Sequence, residues 1–444
     1  MTSKRRASGT AVPQTRLGRL VRLGLAAGEI AVGGAVEGLK RLASAQPIGG
    51  GSVFLTAASA ERLAARLARL RGAAMKLGQL LSLEGEDAMP PEFAGALATL
   101  RSGASPMPAA QLHRVLGREW GARWVGRFAA FDEEPVAAAS IGQVHRARTA
   151  DGRDVAIKVQ YPGVARSIDS DVDNVAVLLR LLNLLPLEIE IGGLVAEAKR
   201  QLHEEADYLA EARHLARFRR LVADEPRLAV PRVHTDLTTQ RVLAMDYVHG
   251  EPLETLIDAG VPQSARNEIG ALLQRLVFRE LFEFRAMQTD PNFANYLWDR
   301  DAARVVLLDF GATREFPRAF VEHFRAISRA VVAGNRARIR ALAIEIGYLG
   351  PEDSRERAEA VVEVIQLVCE PLRHSGPYDF AGSDLPSRVR SLGFDLAFRK
   401  GLLRAPPPET LFLHRKLVGS FLLLARIGAR VNAHALVLPF LRRG

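Results

Sequence analysis

The chain has 444 residues, of which 48% are hydrophobic and 25% charged, with a formal net charge of +10 and one cysteine, Cys369. That length predicts two domains, or one domain with a large extension, and the composition is neither that of a disordered chain nor that of a membrane-spanning protein. The single cysteine excludes an internal disulfide framework and a cysteine-held zinc or iron–sulfur centre and fits a reducing compartment, and the 10 histidines form no H-E-x-x-H, so any metal is expected to arrive with a substrate.

The positive charge is uneven. Lys4, Arg5, Arg6, Arg16, Arg19 and Arg22 precede the first acid, Glu29, and Arg415, Lys416, Arg426, Arg430, Arg442 and Arg443 follow the last, Glu409. Basic ends beside Leu/Val-rich stretches predict contact with an anionic membrane surface rather than nucleic acid, which would call for interleaved aromatics. Disordered soluble ends are the alternative for the first stretch. No apolar run reaches the roughly 18 residues of a spanning helix. The acid-free, Ser/Thr-containing amino terminus fits an organelle transit peptide as well as a bacterial basic tail.

In chain order, residues 1–52 form a basic, flexible or membrane-contacting segment that ends in the Gly/Ser/Pro cluster Pro47–Ser52. Residues 53–127 read as a helical extension. Leu63, Leu67, Leu70, Met75, Leu77 and Leu81 mark an amphipathic helix over Ala57–Leu83, and a second, proline-punctuated helical stretch ends before Gly117. Residues 128–250 begin a β-rich lobe, with strands Val136–Thr149 and Val155–Gln160 about an Asp151-Gly152 turn. Helical periodicity over Asp171–Leu185 and Leu194–Leu221 makes a helical insertion, and strands return at Arg232–His234 and Val242–Tyr247. Residues 251–444 read as a helical lobe, interrupted by strand-like pieces at Tyr296–Trp298 and Val305–Leu308.

Four short patterns carry chemistry, each weak alone. Asp309-Phe310-Gly311 follows an apolar strand; Val155-Ala156-Ile157-Lys158 is a V-A-I-K strand; Asp290 and Asn295 have the D-x-x-x-x-N spacing of a kinase catalytic loop, with Gln288-Thr289 in place of His-Arg. Ala137-Ala138-Ala139-Ser140-Ile141-Gly142-Gln143-Val144 superposes on a glycine-rich phosphate loop, with alanine at the first two glycines. Taken singly, these are an acidic turn, a solvent-facing lysine and ordinary loops; in this order they point to phosphoryl transfer. That chemistry needs charge neutralisation: a lysine on the phosphates, Asp309 and Asn295 on a magnesium ion, and Asp290 toward the acceptor oxygen. The lysine needs an acidic helix partner, and Glu204-Glu205-Ala206-Asp207-Tyr208-Leu209-Ala210-Glu211 supplies candidates, each otherwise a solvated helix face. Alanine at the phosphate loop restricts φ to negative values and adds methyl groups beneath the phosphates.

Lys76-Leu77-Gly78-Gln79, the alanine loop running into Ile141-Gly142-Gln143-Val144-His145, Glu205-x-Asp207-Tyr208-x-x-Glu211 and Leu307-Leu308-Asp309-Phe310-Gly311-Ala312 together resemble the UbiB/AarF family of atypical kinases. Met287-Gln288-Thr289-Asp290-Pro291-Asn292, Tyr161-Pro162-Gly163-Val164 and Leu413-His414-Arg415-Lys416 resemble its mitochondrial coenzyme Q branch. The resemblance covers about residues 60–430. It implies an α+β, protein-kinase-like two-lobed fold with a β-rich N-lobe, a helical C-lobe and an N-terminal helical extension lying where a protein substrate would bind. It further implies Mg2+ and ATP bound between the lobes, and an ATPase or atypical kinase supporting ubiquinone biosynthesis rather than a protein kinase.

By that resemblance Lys158 is the phosphate-binding lysine, Glu205 its partner and Asp290 the catalytic aspartate. Asn295 and Asp309 are the metal ligands. Ala137, Ala138, Ala139, Ser140, Gly142, Met245 and Tyr247 line the nucleotide, and Lys76, Gln79 and Glu211 form a gating set. Lys76 and Gln79 are spaced to share one helix face. Implied partners, besides ATP, are isoprenoid quinone precursors, an anionic membrane surface and quinone-biosynthesis enzymes. The expected location is the cytoplasm, peripheral on a bacterial inner membrane, with the mitochondrial matrix face as the alternative. Two departures stand out. The catalytic loop has Thr289 and Asn292 where some family members carry histidines, so Asp290 is expected to act alone or to orient water, and no A-P-E follows Asp309-Phe310-Gly311. The alternatives are a nucleotide-binding pseudoenzyme that extracts a lipid or assembles partner enzymes, and a small-molecule phosphotransferase. The second does not explain K-x-G-Q.

Overall fold

The structure, a computed structural model, describes residues 72–74, 76–77, 106–181, 191–258, 260–290, 292–396, 401–402 and 406–442. The expected segment 1–52, most of the helix over 57–83 and Gln79 of the gating set lie outside these residues. The chain divides into two compact units: one holds the described residues up to Arg213 with Arg232–Val248, the other His214–Pro231 with those from His249 onward.

The first unit is built on an antiparallel sheet of strands β1 (Phe128–Phe131), β2 (Ala137–Ala138), β3 (Gly142–Thr149), β4 (Asp154–Gln160) and β6 (Val242–Asp246), in the order β1-β3-β4-β6 with β2 also on β3. Gly152 occupies the β3–β4 turn at φ 91°, a backbone conformation open to glycine and strained for other residues. The sequence predicts one strand over 136–149. Instead the chain reverses at Ala139–Ile141, where the Ala139 amide donates to the Gly142 carbonyl (2.9 Å), and β2 folds back onto β3. Alternation along β4 sends Val155, Ile157 and Val159 to one face, where they pack with Leu112, Leu116 and Trp120 of helix α1 (Ala109–Trp120) and with Trp124 and Phe128. Helix α1 continues through Gly117, where the sequence predicts an end. Burial of Leu116 and Trp120, whose indole Nε1 donates to the Leu237 carbonyl (2.9 Å), outweighs the weak helix preference of one glycine.

Helices α2 (Val164–Leu181), α3 (Ile191–Glu205) and α4 (Tyr208–Leu221) follow β4. Periodicity reads α3 and α4 as one helix, but Asp207 interrupts it: its Oδ1 accepts the Ala210 amide (2.9 Å), the capping contact that opens a new helix.

The second unit contains a four-stranded sheet of β5 (Leu228–Ala229), β10 (Arg304–Leu307), β9 (Tyr296–Asp299) and β7 (Glu251–Pro252), and a two-stranded pair of β8 (Ala286–Gln288) and β11 (Thr313–Glu315). Its core gathers apolar residues of helices α5 (Gln263–Arg279), α6 (Arg318–Val332), α7 (Arg336–Ile346), α8 (Arg355–Val368), α9 (Pro408–Arg426) and α10 (Ala433–Arg442). A first unit built on the five-stranded sheet and a helical second unit fit the α+β fold that the resemblance implies. Among the described residues no helix is long and apolar enough to cross a membrane.

Candidate active site

Lys158 lies on the face of β4 opposite the apolar core, because side chains alternate along a strand. In cross-strand register it faces Val144 and Leu243, and Val144 in turn faces Ala137, so one row joins the alanine strand to the lysine. Met245 pairs with Ala156, two positions from Lys158 and therefore on the same face. Tyr247, just beyond the strand, donates its amide to the Asp154 carbonyl (3.0 Å) and carries the Arg146 guanidinium 4.5 Å from its ring centre. Ala137 and Ala138 are exposed and Ala139 is half-buried.

The acidic partner of Lys158 is Glu211, not Glu205 as expected. Lys158 Nζ donates to both oxygens of Glu211 (2.8 and 3.0 Å) and stands 5.1 Å from the Tyr208 ring centre. Glu205 instead accepts from Ser140 Oγ (2.5 Å) and forms an ion pair with buried Lys76. The helix break is the reason: it leaves Glu205 at the end of α3 and puts Glu211, with Tyr208, in the first turn of α4. Glu204, beside this cluster, has its carboxyl raised to about 7 by burial, opposed by Arg200 and reinforced by Glu197. Gly142 has a steric requirement: an added Cβ would stand 2.4 Å from the Val159 carbonyl oxygen and 2.9 Å from the Tyr208 hydroxyl.

In the second unit backbone pairing assembles the other residues. The Thr289 amide donates to the Ala312 carbonyl (2.9 Å), extending the β8–β11 pair, and the Leu308 amide donates to the Asn295 carbonyl (2.9 Å), extending β9–β10. The loop 289–295 therefore runs beside the loop 308–312, which brings Asp290 and Asn295 to the side of Asp309. Asn295 Nδ2 donates to the Asp290 carbonyl (3.0 Å), and Asp309 Oδ1 accepts the Gly311 amide (2.9 Å). Phe310 points inward, its ring centre 4.5 Å from that of Phe218, and its carbonyl accepts from His214 Nδ1 (3.2 Å).

Asp290 has a charged partner that its own loop does not supply. Its Oδ1 accepts from Arg415 Nη2 at 2.7 Å, across 125 residues of sequence. Arg415 belongs to the Leu-His-Arg-Lys segment of α9, and its signal was a charged pair inside an otherwise apolar helix. Within the basic carboxyl-terminal stretch, Arg415 and Lys416 are buried in ion pairs with Asp290 and Glu280, whereas Arg426 and Arg430 are exposed and paired with Glu254 and Asp379. His414, pulled down to about 4 by burial, is neutral and shares a hydrogen bond with the Tyr348 hydroxyl (2.6 Å).

The donor chemistry fits a magnesium ion. The Asn295 amide nitrogen is committed to the Asp290 carbonyl, which leaves its carbonyl oxygen for a cation, and Asp309 supplies a carboxylate. One or two such hard oxygens plus substrate phosphates are the usual protein share of a magnesium site. Among the described residues no group of three His, Cys, Asp or Glu side chains is placed to hold a metal ion.

A family model described as the ABC1 atypical kinase-like domain matches residues 99–343. The chain is 39% identical over 422 residues to the atypical kinase COQ8B, mitochondrial, of Rattus norvegicus, covering 95% of this chain and 79% of that one. It is 36% identical over 426 residues to the atypical kinase COQ8, mitochondrial, of Saccharomyces cerevisiae (95% and 84%). Among solved structures, the Rv3197–erythromycin complex from Mycobacterium tuberculosis is similar with a TM-score of 0.60 and 28% identity, over 86% of this chain and 95% of that one.

Proposed function

We propose, from the premise that this chain belongs to the ABC1 atypical kinase-like family, that it is a magnesium-dependent ATPase or small-molecule kinase supporting ubiquinone biosynthesis. The observation that carries this reading is the bidentate Lys158–Glu211 pair, which holds an ammonium ready for nucleotide phosphates. Asn295 and Asp309 would hold the magnesium ion, whose charge offsets that developing on the transferred phosphoryl group. Asp290, oriented by Arg415, would face the acceptor oxygen or water. Ala137, Ala138, Ala139, Ser140, Gly142, Met245 and Tyr247 would line the nucleotide, and Lys76 with Glu205 and Gln79 would gate it.

The short connection after Asp309-Phe310-Gly311 disfavours a protein acceptor. Only Ala312–Pro317 separate Gly311 from the start of α6, and Thr313–Glu315 of these are already in β11, so no extended peptide-binding platform follows Asp309-Phe310-Gly311. The acceptor is therefore water or a small molecule such as an isoprenoid quinone precursor. The mitochondrial names of the relatives support the mitochondrial alternative for location.

The test is magnesium-dependent phosphate release from ATP, with and without anionic liposomes, comparing the parent chain with Asp309→Asn. Release in the parent, reduced by roughly a hundredfold or more in the variant, is expected for charge stabilisation through a metal at this site. Equal release from both would remove Asp309 from the chemistry. No stimulation by liposomes would remove the anionic surface from the partners, and mass-spectrometric screening of products separates hydrolysis from transfer to a small molecule.

A further inference from the structure

Glu280 and Lys416 form a salt bridge (3.1 Å) whose side chains are 2% and 3% exposed. Burial of two charges is costly, and apolar residues of similar volume would serve stability as well, so such a pair calls for a geometric reason. Each partner makes one further bond, and both bonds end on the loop that carries Asp290. Glu280 Oε1 accepts the Gln288 amide (3.2 Å), two residues before Asp290. Lys416 hydrogen-bonds the hydroxyl of buried Tyr296, the residue after Asn295. Gln288 passes the contact on, its Nε2 donating to the Asp290 carbonyl (2.7 Å), and Arg415, adjacent to Lys416 on α9, takes the Asp290 carboxylate.

We propose that Glu280 and Lys416 are positioning residues, a buried clamp that grips the loop 288–296 at both ends and fixes Asp290 and Asn295 without touching substrate. Glu280 stands at the end of α5, where the helix widens into a π turn over Glu280–Phe284 and closes at Arg285 with φ 52°. The clamp thus links two helices, α5 and α9, to one loop. Its role in turnover rests on the ATPase or kinase reading above; its role in holding the loop does not.

The test uses the full chain and two variants, Glu280→Met/Lys416→Met, which removes both charges at similar volume, and Tyr296→Phe, which releases only the far end of the loop. Hydrogen exchange is read at the amides of Thr289, Asn295 and Leu308, with ATP turnover and nucleotide affinity beside it. In the double variant we expect at least tenfold faster exchange at these amides with little change in the α6–α8 amides, and a tenfold or greater fall in kcat with nucleotide Kd within twofold. Tyr296→Phe is expected to give a smaller, selective change at Asn295 and Leu308, and it stands in if the double variant does not fold. Parent-like loop exchange in a folded variant, or faster exchange spread evenly over the second unit, would overturn the clamp. If the parent chain turns over no ATP, the functional reading fails while the exchange result still decides the clamp.

Discussion

Lys158 and Asp290 are each held by an opposite charge far along the chain, but in different ways. Lys158, 10% exposed, meets both oxygens of a Glu211 that is 1% exposed, across 53 residues; Asp290, 18% exposed, gives one oxygen to Arg415 across 125. Around Lys158 the choice of partner depends on where a helix breaks, since Glu205 and Glu211 are both carboxylates on the same stretch of chain. Around Asp290 the backbone does most of the positioning, through the β8–β11 and β9–β10 ladders, and Arg415 adds orientation. The first arrangement is therefore sensitive to packing and the second to side-chain geometry.

The largest effect is expected where packing is tightest. Gly142→Ala drives a methyl group against the Val159 carbonyl, a backbone atom that cannot step aside, and should destabilise the chain by about 3 kcal/mol. Thermal or denaturant unfolding checks this, and a parent-like midpoint would show that the sheet has slack at that point.

Next comes the exchange of the two carboxylates. Glu211→Gln removes the carboxylate charge paired with a buried ammonium and is expected to cost about 3 kcal/mol of stability and most of the nucleotide affinity. Glu205→Gln leaves the Lys158 pair intact and should change affinity far less. Calorimetric titration with nucleotide decides between them; a larger affinity loss in Glu205→Gln would restore the pairing that the sequence suggested.

On the Asp290 side, Arg415→Lys keeps the charge but gives up the planar fork, so a roughly tenfold fall in kcat with unchanged nucleotide affinity is expected in steady-state kinetics. A change confined to affinity would place Arg415 in binding rather than in orientation of Asp290.

The smallest effect is a pH dependence beside the Lys76–Glu205 pair. The folded state raises Glu204 from 4.5 to about 7, so the folded chain holds this proton more tightly than the unfolded one, and stability falls as pH rises through that window. Glu204→Gln should therefore raise the melting temperature by about 2 °C at pH 8, the gain being small because the carboxyl is partly exposed and screened, and leave it unchanged at pH 4. An equal gain at both pH values would trace the effect to packing instead of charge.

Residue types and their order along the chain were legible because phosphoryl transfer restricts them chemically. A lysine in an apolar strand, Asp and Asn at fixed spacing, and Asp-Phe-Gly after a strand announce charge neutralisation, and alternation along β4 and the pattern after Phe128 announce the sheet that carries the lysine. Strand alternation alone did not show the reversal at Ala139–Ile141, which only the match to a phosphate loop suggested, nor the break at Asp207, because apolar periodicity runs on through it. It also could not distinguish a solvated basic end from Arg415 and Lys416 inserted among apolar neighbours. Pairing of charges separated by tens of residues is decided by which helix faces which strand, and the desolvation of a buried charge then makes one partner obligatory. The sequence by itself determined the chemistry available to this protein. Tertiary structure alone decided that Glu211 holds Lys158, that Glu205 holds Lys76, and that Arg415 holds Asp290, because only packing brings those charges out of water and into reach of one another.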